Sequence, residues 1–283
     1  MIELSTDGPI ETPKDAATIV VYRRTPSIEI FMVKRHARSR FMANAMVFPG
    51  GRLEADDCHE RWDSHVDVSP SEAAQIMHQD DPALARGLMV AAVRETFEEA
   101  GLLLTTSQGR ISETQIASFA KARDQLNDGK RSFVDLVADL DIVLSLKALR
   151  FVAHWITPAI EKRRFDARFF AIEAPDGQLG AHDQRETTAS AWLSPTDALN
   201  RYQEGTIELA PPTLRILLEC ARKPNWLAKT HHDRPMPIQP QLHSENGCLH
   251  LLLPGDPKFD PPGVAANRVS LVEGRWVSTG RGA

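Results

Sequence analysis

The chain is poor in several things at once. It has only three cysteines, Cys58, Cys220 and Cys248, far apart and in no Cys-x-x-Cys or Cys/His spacing. That excludes a disulfide framework and a zinc module, and a reducing, cytoplasmic setting is expected. Basic excess is missing: 33 Lys and Arg stand against 38 Asp and Glu, a formal net charge of −5. No global signal points to nucleic acid, whose binding domains are usually basic. No apolar run approaches the roughly 18 residues that a membrane span needs. The N-terminal "MIELSTDGPIETPKD" is acidic and polar, unlike a signal or transit peptide. The C-terminal "STGRGA" holds no targeting tripeptide or prenylation box. Aromatic residues are 6% and charged residues 25% of the 283, ordinary values for a globular protein.

What is present alternates. Residues 1–15 read as a loose arm. "AATIVVYRR" (16–24) and "IEIFMVKRH" (28–36) read as a strand hairpin, and "MVFPGG" (46–51) as a short strand ending in a glycine loop. "SPSEAA" at 69 opens a helix with Ser69 as cap, and "DPALARGLMVAAVRETFEEAG" (81–101) repeats that grammar, with Asp81 first and Gly101 last. Two helices fill 112–140. Strands follow at 149–158, 163–174 and 187–195, then helices opening at Ser194-Pro195 and Pro211-Pro212. From 224 the texture becomes Pro- and His-rich with short strands, a small β-rich extension. The order predicts an α/β (α+β) fold: a mixed sheet with helices on both faces.

On a wheel of about 100° per residue, Met89, Val93, Phe97 and Ala100 form an apolar stripe, and Glu95, Glu98 and Glu99 crowd opposite. Two readings are open. The carboxylates are a solvated acidic face, or they hold a hard divalent cation. The second gains from position: Glu98 and Glu99 lie in the last helical turn, where the macrodipole disfavours negative charge. No lysine follows any of the three at i+4. Arg94 is placed to orient one of them.

"RETFEEAGL" (94–102) resembles the core of the Nudix box, and "VFPGG" the loop before it. Thr96 fills a position where most members carry a bulky apolar residue. Forty-two residues separate Gly51 from Arg94, an excess of twenty-nine over the ordinary box. Such an insertion is similar to the branch that includes the peroxisomal coenzyme A diphosphatases. "KRHARSRFMANAMVFPGG", "RRFDARFFAI" and "AWLSPTDAL" agree with that branch. The resemblance implies a Nudix-type α/β/α sandwich over 16–222, with insertions at 57–83 and 112–140 and an extension at 223–283.

It further implies Mg²⁺- or Mn²⁺-dependent hydrolysis of a nucleoside diphosphate linked to another moiety. Coenzyme A or acyl-coenzyme A is the leading substrate, ADP-ribose or a nucleotide sugar the alternative. A non-catalytic sensing module remains a third reading. Glu98 and Glu99 are the expected metal ligands, joined by a carbonyl of Gly50 or Gly51. Glu95 is a ligand or the water-activating base, with Arg94 orienting it. The box's first acid falls on Asp57 counted from Gly51 and on Arg86 counted back from Arg94, so Glu54 and Asp57 are the candidates. Glu186, before the "WLSP" strand, is either a separate general base or a solvated loop residue. Lys34, Arg35, His36, Arg38 and Arg40 form a basic cluster suited to substrate phosphates, with Arg35 the best single choice. Arg164 and Arg168 either line a cleft or anchor an edge. His59, His231 and His232 read as surface residues, and Trp155, Trp192 and Trp226 as core. A homodimer is a family-level expectation.

Overall fold

The computed structural model describes residues 10–37, 44–106, 113–223, 225–228 and 235–280. Strands β1 (Lys14–Arg24) and β2 (Ile28–Arg35) form the expected antiparallel hairpin. The stretch read as one strand at 46–51 is two: β3 (Ala45–Val47) pairs with β2, and β4 (Gly50–Arg52) with β1. Pro49 sits between them and its carbonyl accepts from Ile19 N–H at 2.9 Å. Proline cannot donate to a ladder, so the chain changes partner there.

Strands β5 (Arg150–Ile156), β6 (Phe165–Glu173) and β7 (Thr187–Leu193) follow, then β8 (Glu208–Leu209) and β9 (Pro237–Ile238). The nine-stranded sheet runs β8-β3-β2-β1-β6-β5-β9, with β4 also on β1 and β7 also on β2. It is mixed: β1–β6, β3–β8 and β5–β9 are parallel, the other pairs antiparallel.

One sheet face carries helices α1 (Pro70–Met77), α2 (Pro82–Ala100), α3 (Glu113–Asn127) and α4 (Phe133–Asp139). The other carries α5 (Pro195–Gln203) and α6 (Pro211–Arg222). Ser69 caps α1 in a reciprocal box with Glu72. Asp81 accepts from the N–H groups of Ala83 and Leu84, satisfying two of the orphan donors that open α2. Gly101 ends it at φ 66°, a left-handed angle that a glycine adopts freely.

Helix α2 departs from the wheel reading. Every residue from Ala85 to Arg94 is buried, and Glu99 is 5% exposed. The insertions cover the apolar stripe. Trp62 packs on Phe133 at 5.6 Å between ring centroids, and Phe133 on Phe97 at 6.0 Å. Arg61 of the first pairs with Asp135 of the second at 2.5 Å, tying the insertions together. The glutamate side is covered by β4, whose Gly50 N–H meets Glu99 and whose Gly51 lies against Glu95, so a solvated acidic face is ruled out for Glu99.

The C-terminal segment adds a four-stranded sheet: β10 (Gln241–Glu245), β11 (Cys248–Leu252), β12 (Arg268–Val272) and β13 (Arg275–Thr279). Leu251, Val269 and Trp276 on its inner face join the core cluster of Val20, Tyr22, Leu214 and Leu217. With β9 in the main sheet, this segment is part of the second layer.

Candidate active site

The site is built where β4 passes α2. Gly50 and Gly51 pair with Thr18 and Ala17 of β1. A Cβ on Gly50 would lie 2.5 Å from the carbonyl oxygen of Ala17, and one on Gly51 would collide with the Glu95 carboxylate. Glycine at 50 lets the strand close on β1, and glycine at 51 lets it run against the helix without a side chain between them. The Gly50 N–H donates to the Glu99 carboxylate at 3.1 Å.

Arg94 is the hub. Its Nε and Nη2 donate to the two oxygens of Asp57 at 2.9 and 3.0 Å. Nη1 donates to Glu95 at 3.0 Å and to Glu98 at 3.1 Å, and Nη2 also to the Arg52 carbonyl at 2.9 Å. Asp57 accepts further from the Glu54 N–H at 2.8 Å. Asp57 is 1% and Arg94 5% exposed. Glu54 lies at the surface and touches Arg94's partner through its backbone, its N–H donating to the Asp57 carboxylate and its carbonyl accepting from the Asp57 N–H. Arg86, the other position the spacing offered, pairs with Asp63 and the His59 carbonyl instead.

Burial dominates the electrostatics. It raises Glu95 to about 7, with the charges of Glu98 and Glu186 adding and Arg94 opposing. It raises Glu98 against the pull of Arg94. It raises Glu99 well above the carboxylate range, with Glu95 adding and the Gly50 amide and Arg35 opposing. For Arg94, burial favours the neutral form, but Asp57, Glu95 and Glu98 outweigh it and hold the guanidinium charged. Three carboxylates are thus held where their charge is disfavoured.

Among the described residues no three His, Cys, Asp or Glu side chains converge into a closed metal cluster. The glutamates are turned to Arg94 and to Gly50. The donor set nonetheless fits a hard divalent cation: three oxygen-bearing side chains on one turn and a half of helix, against a glycine backbone with room for close approach.

The other sequence candidates divide. Arg35 offsets the charge of Glu99, which places it at the site. Glu186 is exposed but close enough to raise Glu95 and Glu99, and its carbonyl accepts from His36 N–H at 2.8 Å. Asp183 holds its turn by accepting from the N–H groups of Arg185, Glu186 and Thr187. Lys34 follows Ile30 and Met32 in the alternation of β2, and those two residues belong to the core under α5 and α6. Arg168 is 6% exposed and ion-paired to Asp15 at 2.6 Å and Asp166 at 3.0 Å. Arg164 is likewise buried and donates to the carbonyls of Thr157 and Glu11. Both arginines are held by internal partners at the start of β6, an interior strand. His59 accepts from Arg61 N–H as a helix cap. Trp155 is buried, and Trp192 and Trp226 pack on the two cores. Arg38, Arg40, His231 and His232 lie outside the described residues.

Three contributors went unread in the sequence. Arg123 of α3 donates to the Glu98 carbonyl at 2.8 Å, and Asn127 at 3.3 Å, capping the end of α2. No local pattern marks them. Gly87, in the middle of α2, faces Cys58. A glycine inside so long a helix is itself a signal of close approach.

A family model, the NUDT19 Nudix domain, matches residues 11–219. The acyl-coenzyme A diphosphatase NUDT19 of Xenopus laevis is 27% identical over 323 residues, covering 92% of this chain and 84% of that protein. The human protein of the same name is 28% identical, covering 82% and 73%. Among solved structures, a NUDIX hydrolase from Alicyclobacillus acidocaldarius superposes with a TM-score of 0.54 at 26% identity, over 79% of this chain and 95% of that one. No helix among the described residues is long and apolar enough to cross a membrane. The split box, the mixed sheet and these matches agree, and the chain belongs to the Nudix hydrolases, in the family of the NUDT19 Nudix domain.

Proposed function

We propose that this protein hydrolyses the diphosphate of coenzyme A or an acyl-coenzyme A, giving 3′,5′-ADP and the (acyl-)phosphopantetheine, with Mg²⁺ or Mn²⁺. The observation that carries the diphosphatase reading is the Arg94 hub. One guanidinium holds Asp57, Glu95 and Glu98 together, while Glu99 sits on the Gly50 amide. The coenzyme A reading is supported by the names of the relatives that span most of the chain.

Glu98 and Glu99 would hold the cation, with Glu95 and a carbonyl of Gly50 or Gly51 beside it. When bound, it screens the diphosphate charge and acidifies a coordinated water. Water adds to one phosphorus, the P–O–P bridge breaks, and the leaving oxygen departs on the other phosphate. Arg94 fixes the Glu95 carboxylate against Gly51, from where it accepts the water's proton. Asp57 fixes Arg94 and takes the place of the box's first acid. Arg35 binds a substrate phosphate beside Glu99. Glu186, at the rim, is the second candidate acceptor. Substituting the true acceptor costs about 10²–10⁴ in rate, so Glu95→Gln and Glu186→Gln separate the two.

The test is turnover with Mg²⁺ on coenzyme A, an acyl-coenzyme A and ADP-ribose, with products identified by mass. Coenzyme A cleaved faster than ADP-ribose supports the substrate. ADP-ribose cleaved faster overturns it and keeps the chemistry. No diphosphate cleaved at all overturns the enzyme reading in favour of a sensing module.

A further inference from the structure

A glycine in a helix interior weakens the helix relative to alanine. Gly87 lies five residues into α2, and its φ is not in the left-handed region, so conformation does not require it. Space does. A Cβ there would collide with the Sγ of Cys58 and stand 3.3 Å from Leu53 Cδ1 and 3.4 Å from Cys58 Cα.

The chain that crosses Gly87 is the chain that delivers Asp57. Leu53 N–H donates to the Asp15 carbonyl at 2.9 Å, which fixes where the segment starts. Ala55–Cys58 is a 3₁₀ turn, with Asp57 N–H donating to the Glu54 carbonyl at 3.1 Å. Trp62 Nε1 donates to the Asp56 carbonyl at 2.8 Å and pins the turn from outside. Cys58 then lies on Gly87, while its neighbour Asp57 meets Arg94.

The helix geometry makes these one contact. Gly87 and Arg94 are seven apart, so they lie on the same face of α2. Side chains on a helix lean toward its N-terminus, so the long Arg94 side chain reaches back over that face. The turn can therefore sit flat on Gly87 and present Asp57 to Nε and Nη2 of Arg94 together. A larger residue at 87 lifts the turn and withdraws Asp57 from one or both nitrogens. Arg94 would then be free to move, and with it the Nη1 that holds Glu95 and Glu98.

We propose that Gly87 is a positioning residue for the active site: the gap it leaves on α2 seats Cys58, and so sets Asp57 on Arg94 and the glutamates in their working places. This rests on the diphosphatase reading above. It assigns to Gly87, by leaving room for the turn at 58, the task of closing a box whose two halves are separated in the chain.

The experiment swaps volume. Gly87→Ala, Cys58→Ala and the double variant are compared by kcat, KM and thermal melting with wild type. Gly87→Ala is expected to lower kcat at least about tenfold, with KM changed less than about threefold, the pattern of a lost transition-state contact. Cys58→Ala removes the Sγ and keeps kcat within about threefold of wild type. The double variant, with room restored, recovers most of the loss.

A second readout needs no turnover. Contacting residues couple in stability, and separated ones do not. Asp57→Asn is expected to lower Tm by several degrees in wild type and by less than half as much in Gly87→Ala, where the pair is already loosened. Wild-type kcat in Gly87→Ala overturns the proposal. So does a folded double variant that stays as slow as Gly87→Ala. If Gly87→Ala does not fold, a double variant that folds with activity supports the proposal, and one that folds without activity, or does not fold, overturns it. If wild type cleaves no diphosphate, the diphosphatase reading fails, and the melting comparison still decides whether Gly87 seats Asp57.

Discussion

Arg94 and Asp57 stand 37 positions apart in the chain and meet as a buried two-point ion pair, Nε on one carboxylate oxygen and Nη2 on the other. Such pairs fix geometry as well as charge, because the planar guanidinium matches the planar carboxylate. Arg94 spends its remaining donor on Glu95 and Glu98, so the position of the catalytic carboxylates depends on an aspartate outside their helix.

Removing one partner of a buried pair costs about 3–5 kcal/mol, because the other charge is left uncompensated. Asp57→Ala is expected near the low end, since Arg94 keeps two glutamates, and its kcat should fall with it. Glu54→Ala, at the surface, should cost less than about 1 kcal/mol. Urea melts and kcat of the two variants decide this. Equal losses would sink the assignment of Asp57 over Glu54.

Glu99 is predicted to trade stability for activity. It is 5% exposed and faces Glu95, and burial outweighs the opposing pull of Arg35 and the Gly50 amide. Glu99→Gln keeps the shape and the Gly50 contact and removes the disfavoured charge. Turnover with Mg²⁺ should fall by more than about a hundredfold. In EDTA the variant should melt higher than wild type. A variant that melts lower in EDTA would show that the charge is compensated in the metal-free protein.

The pH dependence of the metal-free protein follows from Glu95. Its folded value of about 7 lies above its ordinary value of 4.5. The folded state therefore binds the proton more tightly. This contribution is fully present below about pH 4.5 and is lost as pH rises through about 7. At about 1.4 kcal/mol per unit, roughly 3 kcal/mol is at stake. Glu98 and Glu99 are shifted in the same direction. Denaturant melts in EDTA should weaken from pH 5 to pH 8, Glu95→Gln should flatten the change, and saturating Mg²⁺ should oppose it by favouring the charged form. A metal-free protein equally stable at both pH values would contradict the burial of these carboxylates.

Much of this site was legible because its parts are local. Asp81 and Gly101 bound α2 by cap chemistry, and the spacing of Arg94, Glu95, Glu98 and Glu99 is a property of one helix. What failed were statements about what lies across from a residue. The wheel gave α2 a polar side, yet Gly50 and Gly51 of β4 cover it at Glu99 and Glu95. Lys34 and Arg35 are neighbours in a basic run, yet a register shift of β2 on β7 falls between them. Arg168 read equally well as a cleft residue, and only the register of β1 on β6 brings Asp15 beside it. Periodicity reports the element and is silent about its partner.

The C-terminal sheet is predicted to be required for folding, although composition marks it as an extension. Trp276 and Val269 fill the second core beside Leu214 and Leu217. The Tyr202 hydroxyl accepts from Trp276 N–H at 2.7 Å and donates to its carbonyl at 3.1 Å, and Arg215 of α6 donates to Ser278 and Asn267. Asp256, fully buried, holds the β11–β12 connection by taking both Arg268 nitrogens at 2.7 Å and the N–H groups of Lys258 and Asn267. Burial of each large apolar side chain is worth about 1.5–3 kcal/mol. Losing Leu251, Leu253, Val269 and Trp276 together therefore removes roughly 6–12 kcal/mol, comparable to the 5–15 kcal/mol that stabilises a whole domain. Truncation after residue 235 should yield a protein without a cooperative melt, and Trp276→Ala should cost about 3–5 kcal/mol. A truncated chain that melts cooperatively and keeps diphosphatase activity would show instead that the first core and the active-site helix stand without the second.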